Sequence, residues 1–163
     1  GMSITEERQQ SIDFTQEYFP PDPSKFMAQS ADVNVDDPSG LRIGVQGATI
    51  QAAHAEANFA DDNTILSFET ADQALADLNA GNVDAILADG AYIDELVAAS
   101  GGALTTVGSE IPIGGGVGVG LRKQDDELEQ KLNDAITAAK ADGTVDALIA
   151  KYFPEKPGGP FFQ

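Results

Sequence analysis

Residues 41–59, LRIGVQGATIQAAHAEANF, change character at a single point. Leu41 to Gln46 is a short apolar run bounded by turn residues, the pattern of a strand buried on both faces. Thr49 to Asn58 is alanine-rich and carries Thr49 where a helix N-cap belongs. A strand feeding directly into a helix is the opening of a β-α-β unit, which commits the chain to helices stacked on a parallel sheet.

The same alternation runs outward from this stretch. Thr64 to Phe68 and Val83 to Ala88 read as further buried strands, and Ala103 to Val107 as a fourth. Thr70 caps a helix over Ala71 to Ala80, in which Ala71, Ala74, Leu75 and Leu78 share one face and Gly81 ends the run. Tyr92 to Ser100 makes another helix, closed by Gly101 and Gly102. The β-α-β-α-β-α-β order predicts an α/β fold with a parallel-dominated sheet and helices on both faces.

The last third departs from this pattern. IPIGGGVGVGLRK is extended and glycine-rich, and helices follow at Asp125 to Lys140 and Thr144 to Tyr152, parted at Gly143. Leu128, Leu132, Ala135, Ile136 and Ala139 form one stripe, and Val145, Leu148, Ile149 and Tyr152 another. The proline- and glycine-broken FPEKPGGPFFQ that follows reads as a wrapping tail, so no later strand covers these stripes.

Composition narrows the function. Nine basic residues against twenty-seven acidic ones leave a net charge of -18 over 163 residues, which repels nucleic acid and anionic lipid surfaces. The charges are spread, as on a solvated face, rather than gathered in a tail. There is no cysteine and one histidine, so thiol catalysis, cysteine metal sites and a histidine-based triad or zinc site have no residues to use. His54 stands mid-helix among alanines without a metal partner at ligand spacing. No register of Gly114 to Gly120 fits a dinucleotide or phosphate loop, and the glycines fit a strand that neighbouring backbone approaches closely. The acidic pairs Asp36/Asp37, Asp61/Asp62 and Asp125/Asp126 lie in turns or at helix starts, where capping accounts for them. No catalytic set, metal site or cofactor is expected.

Three features suit a small zwitterion. Gln46, Gly47, Ala48 and Thr49 join a strand to a helix start, where backbone amides and the Thr49 hydroxyl can receive an anion, although a plain N-cap uses the same residues. Asp89 follows Ala88 at the carboxyl edge of the sheet, either as a ligand group or as the cap of the next helix. Arg8 follows SITEE, in which Ser3 and Glu6 fit a capping box and Thr5 can cap a short turn. Its guanidinium can take a carboxylate, or pair with Glu6 or Glu7.

These segments carry a resemblance. SITEERQQSIDFTQEYF, GVQGAT, VDAILAD, GVGLRKQDDELEQKLNDAITAAKADGT and KYF resemble, in this order, the periplasmic amino-acid-binding proteins of ABC importers. These are extracellular solute-binding proteins of family 3, and the likeness is greatest to the lysine/arginine/ornithine- and histidine-binding branch. It implies a periplasmic-binding-protein-like type II fold, a periplasmic location, a membrane permease as partner and a free amino acid as ligand. It implies that Ser3, Arg8 and Thr49 hold the α-carboxylate and Asp89 the α-ammonium, with Gly47, Ala48 and Ala88 lining the site. Ala48, Ile50 and Ala88 replace residues often polar in the family, so this wall of the side-chain pocket is expected to be smaller or more apolar.

By the same resemblance, residues 22–118 form lobe two, while residues 1–21 and 119–163 belong to lobe one, most of which is expected to be missing ahead of Ser3. Gly1 before Met2 has the look of a tag scar, and no signal peptide opens the chain. With one lobe incomplete, weak or absent ligand binding is expected. The uncovered helices predict self-association as a homodimer. The alternative is an enzyme of the same fold, similar to cyclohexadienyl dehydratases, which would need an acid/base pair and could draw only on Asp84 and Asp89.

Overall fold

The computed structural model describes residues 1–154, 156 and 158–162. In chain order its elements are β1 (Met2–Ser3), α1 (Glu6–Gln9), β2 (Asp13–Phe14), β3 (Ser24–Ala28), β4 (Arg42–Gln46), α2 (Ile50–Phe59), β5 (Thr64–Phe68), α3 (Ala71–Asn79), β6 (Ala85–Asp89), α4 (Gly90–Ala99), β7 (Thr105–Ile111), β8 (Val117–Gly118), β9 (Gly120–Leu121), α5 (Asp126–Ala141) and α6 (Thr144–Tyr152). They form two compact units, Gly1–Asp22 with Gly114–Gln163, and Pro23–Ile113.

The Pro23–Ile113 unit is a five-stranded sheet in the order β5-β4-β6-β3-β7. β4 runs parallel to both β5 and β6, as the strand-helix alternation predicts. The sequence reading misses β3, which lies antiparallel between β6 and β7 and makes the sheet mixed. SKFMA is short and polar at its start, so it does not read as a buried strand, yet its neighbours bury Ser24 and Phe26 to Ala28. β7 runs Thr105–Ile111, later than the expected Ala103 to Val107, and α4 begins at Gly90, ahead of Tyr92.

Side chains alternate across this sheet as strand geometry requires. Phe26, Ala28, Ile43, Val45, Ala85 and Leu87 face one way and pack with Ala55 of α2. Met27 and Ile86 face the other way, against Ala74 and Leu78 of α3 and Ile93 of α4. Phe26, Met27, Ile43, Leu87 and Ile93 are almost wholly buried, and each such side chain contributes about 1.5–3 kcal/mol by leaving water. Thr70 and Gln73 cap α3 reciprocally in a capping box.

Ion pairs fix the margins of the sheet. The Asp84 carboxylate accepts from Arg42 Nη2 at 2.6 Å, from Arg42 Nε at 3.0 Å and from the Arg42 amide at 2.8 Å, clamping the entry to β6 onto the start of β4. The hydrogen bond from Arg42 holds the Asp84 pKa below its ordinary value. Lys25 reaches Asp94 at 2.8 Å and Glu110 at 3.3 Å. Burial works to lower its pKa, but these two carboxylates outweigh it and raise it.

The other unit holds two short antiparallel ladders, β1 with β8 and β2 with β9. The glycines of the GGGVGVG stretch serve close approach: a Cβ on Gly118 would stand 3.0 Å from the Thr15 carbonyl oxygen. The expected Ser3/Glu6 capping box does not form. Ser3 pairs in β1, and Thr5 caps α1 by accepting from the Arg8 amide at 3.2 Å. Gln16 tethers α5, its amide donating to Asn133 Oδ1 at 2.8 Å and its side chain to Thr137 Oγ1 at 2.7 Å.

The tail folds back on the same unit. The Phe161 amide donates to Asp146 of α6 at 2.7 Å, and Lys156 pairs with Asp22 at 2.8 Å. Glu155, Pro157 and Gln163, also part of the expected wrapping tail, lie outside the described residues. No residue of α5 is buried and only Ile149 of α6 is, leaving Leu128 50%, Leu148 49% and Tyr152 64% exposed.

Candidate functional site

In the sheet unit, the carboxyl ends of β4 and β6 lie side by side, and the helices that follow them start there. Ligand crevices of open α/β sheets lie at this edge. β4 ends at Gln46 and the chain turns through Gly47 and Ala48 into α2. The Gly47 amide donates to the Phe68 carbonyl at 2.8 Å, and a Cβ there would stand 2.7 Å from Ser67 Oγ. Ala48 takes φ 58, a left-handed conformation that costs about 1–2 kcal/mol for a residue with a Cβ.

Thr49 then caps α2. Its hydroxyl accepts from the Ala52 amide at 3.1 Å and donates to the Gln46 carbonyl at 2.7 Å. This is the capping role anticipated from sequence, and it employs the hydroxyl proton within the turn. An anion at this helix start therefore relies chiefly on the first-turn amides, which have no acceptor inside the helix.

Asp89 ends β6 and stands at the N-cap of α4 without a side-chain capping bond. Instead, the Gln51 side-chain amide donates to Asp89 Oδ1 at 2.7 Å and to Ser24 Oγ at 3.0 Å. Gln51 is 5% exposed and Ser24 is wholly buried. Gly90, next in the chain, is required by packing, because a Cβ there would collide with the Pro23 carbonyl oxygen. Gln46, Thr49, Gln51, Ala88, Asp89 and Tyr92 line a cavity of about 180 Å³, together with apolar side chains such as Ala74, Ile86 and Leu87. The Tyr92 hydroxyl is buried with no hydrogen-bond partner among the described residues. Burial, helped by the nearby Asp72 carboxylate, raises its pKa.

In the other unit, Arg8 donates from Nη1 to the Ser3 carbonyl at 2.9 Å, so these two predicted residues are brought together. Ser3 contributes its backbone oxygen to that bond, and both side chains are part-exposed. Thr49, Ala88 and Asp89 share the cavity of the sheet unit, with Gly47 and Ala48 in the turn that leads to it.

Gln51, Ser24 and Tyr92 are missed by sequence reasoning. Gln51 leaves one signal, since it lies four residues before the buried Ala55 and is thus a polar side chain on the apolar stripe of α2. His54 is a half-buried packed residue. Its ring faces Phe59 edge-on, Asn58 lies 3.3 Å from Nδ1, and burial lowers its pKa. Among the described residues no three His, Cys, Asp or Glu side chains are grouped to hold a metal, and no helix is long and apolar enough to cross a membrane.

Known proteins resemble the chain over nearly its whole length. The histidine-binding periplasmic protein of Escherichia coli (strain K12) is 36% identical over 167 residues, covering 94% of this chain and 62% of the relative. The L-arginine-binding protein of Pseudomonas aeruginosa is 32% identical with the same coverage of each. The chain thus spans less than two thirds of the length of these curated relatives. The crystal structure of a periplasmic His/Glu/Gln/Arg/opine family-binding protein from Silicibacter pomeroyi, in complex with lysine, superposes with a TM-score of 0.89. It is 43% identical, over 98% of this chain and 70% of that one. The family profile of the bacterial extracellular solute-binding proteins, family 3, matches residues 1–155, and the chain belongs to that family.

Proposed function

We propose that the chain is the amino-acid-binding component of an ABC importer, acting outside the cytoplasmic membrane and delivering its ligand to a membrane permease. The observation that carries this reading is the cavity edge of the sheet unit. There the α2 N-terminus at Thr49 and the Asp89 carboxylate, joined by Gln51, offer a positive and a negative pole to one small molecule. In this reading the α-carboxylate meets the first-turn amides of α2 beside Thr49, and the α-ammonium meets Asp89; a carboxylate-holding role for Ser3 and Arg8 of the other unit is proposed from the family resemblance alone. Gly47, Ala48 and Ala88 shape the wall around it.

Residues 22–118 correspond in this reading to lobe two, and residues 1–21 and 119–163 to part of lobe one. A cavity of about 180 Å³ is smaller than pockets that enclose a whole drug-sized ligand. It suits the polar end of an amino acid, held with reduced affinity. The named relatives bind histidine and arginine, which makes basic amino acids the first ligands to try. The exposed apolar side chains of α5 and α6 pair two copies in a homodimer. Amide-shift mapping by NMR with L-arginine, L-lysine and L-histidine tests the reading. Shifts at Gly47, Thr49 and Gly90 are expected, and no shift with any of the three at millimolar concentration counts against it.

The dehydratase-like alternative loses its acid/base pair. Asp84 is spent on the Arg42 clamp at the opposite end of β6 from Asp89.

A further inference from the structure

We infer that Gln51 is a positioning residue, which holds the Asp89 carboxylate ionised and oriented for an ammonium and couples it to the α2 N-terminus. The inference rests on the reading of Asp89 as the ammonium site. An ionised carboxylate only accepts hydrogen bonds, so the contact at 2.7 Å from Asp89 Oδ1 must come from the amide nitrogen of Gln51, which fixes the orientation of that amide. Its second N–H goes to Ser24 Oγ at 3.0 Å. Both donors are therefore committed, and a side chain 5% exposed cannot turn away to water.

The three residues come from three elements. Ser24 lies on β3 in register with Asp89 at the end of β6, and Gln51 is on α2, two residues after Thr49. Donation from a buried amide favours the charged form of the carboxylate and restricts its rotation. A displacement of the α2 start is passed to Asp89 through one rigid side chain, so the carboxylate and ammonium halves of recognition move together. A residue needed only for packing on the stripe of Ala55 and Phe59 would be apolar; the amide is what Ser24 and Asp89 require.

The test compares Gln51→Leu and the near-isosteric Gln51→Glu with the wild-type chain. Side-chain carboxyl NMR without ligand follows the titration of Asp89. The midpoint is expected to rise by about one pH unit in both variants, through a lost donor in the first and an added like charge in the second. Unchanged titration in a folded variant overturns the inference, and the Glu variant keeps the test available if the Leu variant fails to fold. In the second arm, calorimetry measures L-arginine and its des-amino analogue, 5-guanidinopentanoate. A loss confined to L-arginine, about tenfold, supports the inference, while equal losses for both ligands reduce Gln51 to a packing role and overturn it. If the wild type binds neither compound, the proposed function fails and the carboxyl titration alone decides the role of Gln51.

Discussion

Asp84 and Asp89 stand at the two ends of one strand and hold different partners: Asp84 takes Arg42 at 2.6 Å, and Asp89 takes the Gln51 amide at 2.7 Å. Five residue steps of extended chain separate them by roughly 16 Å, at about 3.3 Å per step. The first carboxylate is structural, and only the second lies at the carboxyl edge where the helices begin.

This division predicts an acid limb belonging to Asp84. Its pKa is lowered in the folded protein, so the stabilisation is full above the unfolded value of about 3.9 and is lost as pH falls through the lower folded value. In Asp84→Asn, denaturant midpoints are expected to fall at pH 7 and to converge on the wild type at the acid end. An unchanged difference between the two proteins from pH 7 to pH 3 contradicts the assignment.

Ala48 carries the only positive φ among described residues other than glycine, at 58°, in the turn before Thr49. Ala48→Gly removes a strain of about 1–2 kcal/mol and adds unfolded-chain entropy worth about 0.4–1 kcal/mol. A net stabilisation of about 0.5–1 kcal/mol is expected in chemical denaturation. Destabilisation by the same amount would show that the Ala48 methyl makes contacts that outweigh its backbone strain.

Much of the sheet unit was legible because its signals are local. Thr49 and Thr70 mark helix starts, Gly81 and Gly101 mark ends, and the apolar runs at Ile43, Ile65 and Ile86 give three parallel strands. β3 was not legible, since Ser24 and Lys25 open it with polar side chains whose partners, Gln51 and Asp94, are distant in sequence. The Gln51 link failed to read for the same reason, as a hydrogen bond between residues 38 positions apart leaves no periodicity. SITEE offers two hydroxyls at capping distance, and the β1 pairing of Ser3 with Val117 leaves the cap to Thr5. The glycine-rich stretch was legible only as extended chain, its ladder partners being fixed by contacts such as Thr15 on Gly118.

The α5 and α6 stripes predict self-association. Leu128, Leu148, Tyr152 and Phe153 are all at least 40% exposed in one unit, an arrangement that favours burial against a second copy. Light scattering at micromolar concentration is expected to give about twice the 17.0 kDa chain mass. The double variant Leu148→Glu/Tyr152→Ser is expected to return the monomer. A monomeric wild type removes the proposal.

In the proposed function a free amino acid is held by both its charged α-groups, with Asp89 taking the ammonium. The most direct measurement of this is calorimetric titration of wild type and Asp89→Asn with L-arginine and with 5-guanidinopentanoate. The wild type is expected to prefer L-arginine, Asp89→Asn to weaken L-arginine binding by about 100-fold, and the des-amino compound to bind both proteins alike. Equal affinity of the wild type for the two compounds, or an Asp89→Asn protein that still prefers L-arginine as strongly, would contradict it.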